Sequence, residues 1–137
     1  MKLDYQNFIS TSRVLDSSGL RWNPEIGDEI ASRSDYQTIS ILVDPQGLTP
    51  SQLRETYLWL PSVEQLVMQF EARQAFIQHV GLNEKLLYSA VIESAGIMIK
   101  SEARSLRMVF GKALDNLLCG IEAGGIHYLF SFPSCCL

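Results

Sequence analysis

The sequence predicts an α+β fold: an antiparallel-rich sheet of about four to five strands, with two main helices, at about 62–73 and 102–119, packed on one face. Three observations carry this. Thr38-Ile39-Ser40-Ile41-Leu42-Val43 is a β-branched run whose Ile39, Ile41 and Val43 share one face of a strand. Short apolar runs at 76–80, 86–92 and 97–99, joined by short turns, read as an antiparallel meander. Two stretches repeat apolar residues at helical steps: Val63, Leu66, Val67 and Phe70, then Ala103, Leu106, Phe110, Ala113 and Leu117.

Residues 1–37 are weakly patterned. Phe8, Val14, Leu15, Leu20 and Trp22 fall on no clean period, and Ser10, Thr11, Ser12, Ser17, Ser18 and Gly19 argue against a long helix. Residues 22–28 read as a loop anchored by Trp22, and a short strand is expected around 29–32.

After the 38–43 strand, Asp44-Pro45-Gln46-Gly47 has the residue order of a turn. Two helices then start in close succession, at about 50–57 and 62–73. Thr49-Pro50-Ser51-Gln52 and Ser62-Val63-Glu64-Gln65 both have capping-box spacing, with Pro50 at the first helical position. Leu48 and Leu53 stand where a hydrophobic staple would close, and Pro61 stops the first helix from continuing into the second. In the helix at 102–119, Val109, Leu114 and Leu118 widen the apolar stripe. Ser101 is the expected cap and Gly120 the expected end.

At 137 residues the chain is read as one domain, 1–137, long enough to bury a core. Within it, 1–37 is the weakly patterned leader and 120–137 an apolar tail. A formal charge of −4 disfavours phosphate backbones and anionic lipid as partners. The opening residues lack the apolar region of a secretory signal, and no apolar run has the length of a membrane span. A cytoplasmic protein without membrane attachment is therefore expected.

No catalytic constellation emerges, and no cofactor or metal is expected. Cys119, His127, Cys135 and Cys136 are ligand types that zinc accepts, but their spacing does not match structural zinc sites. His79 sits among apolar neighbours, with no nucleophile placed beside it in sequence. The acids Glu25 and Asp28, beside Glu29, and Asp44 at a strand end are the residues an enzyme would use. No glutamate is followed two residues on by lysine, as a metal-dependent nuclease on a mixed sheet would ask.

The order helix, three strands, helix over 62–119 resembles that of double-stranded-RNA-binding domains, in element order and over about half of the chain. The resemblance implies a phosphate-gripping lysine cluster at the start of the last helix. This chain reads Ser101-Glu102-Ala103-Arg104 there, and Lys100, Arg104, Arg107 and Lys112 form a weaker basic strip over 100–112.

Apolar surface is the stronger signal. Leu86, Tyr88, Ala90 and Ile92 make one strand face, and Leu87 and Val91 make the other nearly as apolar. In the tail, Tyr128, Phe130 and Phe132 alternate as an aromatic face. The second sheet face is expected to be covered by the leader, the tail or a second copy. The function read from the residues is a small binding or interaction module that self-associates. Its interaction residues are Leu87, Val91, Tyr128, Phe130 and Phe132, and its partner is a second copy or another protein. The alternatives are a nucleic-acid binder using 100–112 and an enzyme using Glu25, Asp28 or Asp44.

Overall fold

The computed structural model describes residues 2–123, with side chains described for 6–120. The chain is α+β, with antiparallel sheets and packed helices, but its plan differs from the expected one. Helix α1 (Lys2–Ser17) is followed by strands β1 (Glu29–Ser32) and β2 (Ile39–Ile41), helix α2 (Pro50–Thr56) and strand β3 (Tyr57–Trp59). Helix α3 (Val63–Ala72), strands β4 (Phe76–Leu82), β5 (Tyr88–Ser94) and β6 (Ile97–Ala103), and helix α4 (Leu106–Ala123) complete it.

The expected single sheet is replaced by two three-stranded sheets, ordered β2-β1-β3 and β4-β5-β6, and the expected two main helices by four. The cause is β3. The residues between the two capped helices, read as a turn, are extended and pair with β1, Ala31 opposite Leu58. The first half of the chain thereby closes its own sheet.

Both capping boxes form. Gln52 N donates to Thr49 Oγ1 at 3.1 Å while Gln52 Oε1 accepts from Thr49 N at 2.8 Å, and Ser62 and Gln65 repeat the arrangement. The 44–47 turn also forms, with Asp44 Oδ1 accepting from Gln46 N and Gly47 at φ +78°. The strand at 38–43 is shorter than expected and lies at an edge. On the face shared by Ile39, Ile41 and Val43, Ile39 is half-buried against the core while Ile41 and Val43 are exposed, and Leu42, on the opposite face, is buried.

Helix α1 overturns the reading of the leader as irregular. Phe8, Ser12 and Leu15 lie on its buried face, and the serine at the middle position hides the apolar period. Packing supplies what propensity does not: α1 lies against α4 at Gly111, where an added Cβ would stand 2.9 Å from Thr11 Cγ2. Gly19, at φ +101°, is the terminator. Leu20 N donates to Leu15 O at 3.0 Å and Gly19 N to Asp16 O at 3.2 Å, the two bonds of a Schellman end.

The meander forms as expected, with β4 and β6 longer than their apolar runs and β5 shifted two residues along the chain. Because β6 runs to Ala103, α4 starts later than expected. Ser105, not Ser101, caps it, accepting from Met108 N at 3.1 Å, and the helix continues past Gly120.

The larger core cluster draws on both sheets and on α1, α3 and α4, with Leu66, Phe70, Ile92 and Leu114 fully buried. Phe70 and Phe110 meet edge to face at 6.1 Å. A second cluster, Trp22, Ile30, Leu42 and Leu53, lies on the other face of the first sheet, with Leu48 packed against it as the staple required. Among the described residues, no helix is long and apolar enough to cross a membrane.

Candidate functional site

The second sheet is covered on one face. Helix α4 packs over β5 and β6, burying Ala90, Ile92 and Ile99. Register fixes which residues share that face. Ile77 pairs with Ile92 and Ile99, Val80 with Ala90 and Ser101, and Leu82 with Tyr88 and Ala103. A bulge at Gln78 lets Ile77 and Val80 point the same way.

At β4 the cover runs out. Val80 and Leu82, on the α4 side, are 41% and 55% exposed, and Phe76, on the other side, is 63% exposed. Leu86 in the following turn and Met98 on β6 extend the apolar surface. β4 is also a sheet edge, with no strand beyond it among the described residues. Its sequence, Phe-Ile-Gln-His-Val-Gly-Leu, carries no lysine, arginine or carboxylate. The opposite edge, β6, carries Lys100 and Glu102, the kind of charge that discourages strand addition.

The residues singled out from sequence are placed as follows. Val91 is half-buried on the face away from α4, opposite His79 and Lys100. Leu87 is half-buried but precedes β5, in a turn. Its N donates to Asn83 Oδ1 at 3.1 Å, and Leu86 has a positive φ of 61°. The continuous two-faced strand from 86 to 92 is therefore corrected: it begins at Tyr88. Tyr128, Phe130 and Phe132 lie outside the described residues.

The acids do not converge. Asp28, 6% exposed, accepts from Trp22 Nε1 at 2.8 Å, Glu25 N at 3.0 Å and Gln65 Nε2 at 2.8 Å. Its oxygens organise the 22–28 loop against α3. Asp44 shapes its own turn, and Glu25 is exposed. No group of three or more potential metal ligands occurs among the described residues.

The basic strip is divided. Arg107 turns inward, donating to Pro61 O at 2.8 Å and Leu60 O at 2.6 Å, pairing with Glu29 at 2.7 Å and lying over the Phe8 ring. Lys112 Nζ donates to Glu102 O at 3.0 Å, while Lys100 stands on the sheet and Arg104 is exposed.

The run at 76–80 does not by itself reveal that Phe76 and Val80, and Leu82 just beyond it, are exposed. The signal present was an uncharged apolar segment with no clean alternation. No family model matches the chain, and neither a curated protein nor a solved structure matches it.

Proposed function

We propose that this chain is a small, single-domain binding module that pairs with a second copy of itself through the free edge of β4. One observation carries the reading: an uncharged seven-residue edge strand with Phe76, Val80 and Leu82 exposed on it.

Antiparallel addition of β4 to its own copy would give a continuous six-stranded sheet. A two-fold axis at Gly81 would pair residues 80–82 of the two copies, setting Val80 of one opposite Leu82 of the other, both on the α4 side of the sheet. Val91, behind β4 on the central strand, and Leu87, in the turn after it, lie outside the paired edge itself. A protein of other sequence adding a strand to the same edge is the second reading, favoured by the same exposed backbone.

Light scattering tests it. The wild type is expected as a dimer, and Val80→Lys or Leu82→Lys as a monomer with unchanged circular dichroism. Ile41→Lys, on the exposed edge of the other sheet, is expected to leave the dimer intact. A wild-type monomer at concentrations well above those in cells would overturn the reading. Removal of residues 126–137 tests Tyr128, Phe130 and Phe132 separately. A dimer lost on truncation but kept in Val80→Lys would move the interface to the tail.

A further inference from the structure

At the edge of the first sheet, the end of α1, the 19–22 loop, α2 and β3 line a partly open cavity of about 320 Å³. Its apolar wall comes from Leu15, Leu20 and Leu58, all buried. Exposed Asp16, Gly19 and Arg21 stand at its rim.

The charge of this cavity opposes that of the chain. Arg21, Arg33 and Arg54 line it against the single carboxylate of Asp16, in a chain of net charge −4. Arg33 is committed: its Nε donates to Arg54 O and Tyr57 O, and its Nη2 pairs with Asp16 at 3.1 Å. Arg54 uses Nε on Trp22 O at 2.6 Å and has no ion pair among the described residues.

Two further polar groups lie just behind the wall, on lining residues. Ser12 is 2% exposed, and among the described residues neither its Oγ nor Trp59 Nε1 has a hydrogen-bond partner. Buried donors are rarely left so, because each forfeits its hydration without replacement. The other tryptophan shows the contrast: Trp22 Nε1 donates to Asp28 at 2.8 Å. Two buried donors without a partner among the described residues, a guanidinium with no ion pair among them and an apolar wall, all at one cavity, describe an incomplete site.

We propose that this cavity binds a small organic anion. A carboxylate head is held by Arg54 with the Trp59 and Ser12 donors, and an apolar body lies against Leu15, Leu20 and Leu58. The ligand reaches the two donors through a small adjustment of the wall, since both atoms are sealed from bulk water in its absence.

Octanoate is the probe, and 1-octanol is its uncharged counterpart. The only two tryptophans of the chain both line the cavity, so intrinsic fluorescence reports on it directly. In two-dimensional NMR, the Trp59 indole N–H is expected to move further than that of Trp22. Octanoate is expected to bind saturably, and octanol about tenfold or more weaker, the scale of a hydrogen bond to a charged group. Trp59→Phe and Ser12→Ala should each weaken octanoate by about tenfold. Ser12→Ala should keep or raise Tm, because it removes an unpaired hydroxyl from the interior. Val80→Lys should leave octanoate affinity unchanged, separating this site from the β4 edge. Absence of a saturable response, octanol binding as tightly as octanoate, or wild-type affinity in both Ser12→Ala and Trp59→Phe would overturn the proposal.

Discussion

Arg107 Nη2 lies 2.7 Å from Glu29 Oε1, and both side chains are only about one-fifth exposed, at 21% and 20%. The pair ties α4 to the first strand of the other sheet. The same guanidinium takes the carbonyls of Leu60 and Pro61 and lies 4.2 Å from the Phe8 ring centroid. One side chain therefore links α1, β1, α4 and the linker before α3. Its planar fork of donors is what lysine lacks.

Arg107→Met should therefore lower stability by about 2–3 kcal/mol, since it removes the ion pair to Glu29 and the donors to two backbone carbonyls. Arg107→Lys should recover less than half of that loss. Urea unfolding measures both, and a cost for Arg107→Met within about 0.5 kcal/mol of zero, the scale of a neutral surface change, would show the pair to be ornamental.

Asp28→Asn should destabilise by about 1–3 kcal/mol, because an amide nitrogen would face one of the three N–H donors that converge on the carboxylate. The Trp22 indole resonance should shift in the variant. Divalent cations should not stabilise the wild type. A rise in Tm with magnesium or manganese that Asp28→Asn abolishes would instead revive the acid-based enzyme.

Gly111→Ala sets two effects against each other. The helix gains about 1 kcal/mol of propensity, but the new Cβ would lie 2.9 Å from Thr11 Cγ2 and 3.4 Å from Phe8 Cε1. A net loss of about 1 kcal/mol is expected. Adding Thr11→Ser removes the clashing methyl and should turn the loss into a gain relative to Thr11→Ser alone. A double-mutant cycle reads the coupling, and additive effects would place the strain elsewhere.

Asp35 titrates below its ordinary 3.8 because its carboxylate accepts from the backbone N–H of Gln37, then from the N–H and hydroxyl of Thr38. The sign follows from linkage. Stability from this depressed carboxyl is fully present above the unfolded value and is lost as pH falls below 3.8 through the folded one. NMR titration should show the Gln37 and Thr38 amides moving together at that lower inflection. An inflection at or above 3.8 would mean that the turn opens in solution.

The elements legible in the sequence are those whose causes lie within a few residues. Thr49 with Gln52, Ser62 with Gln65, Asp44 with Gln46, and the stripe from Val109 to Leu118 each carry their own partners, so pattern alone places them. Tertiary structure decided the rest. Helix α1 exists where serines interrupt its stripe because Gly111 lets it settle on α4, and β3 is a strand because β1 offers it an edge. Arg107 left the basic strip for Glu29, seventy-eight residues away in the chain, and Ser12 reached the wall it shares with Trp59. Contacts of that range have no period to read, since their energy depends on which surfaces meet after local elements have formed.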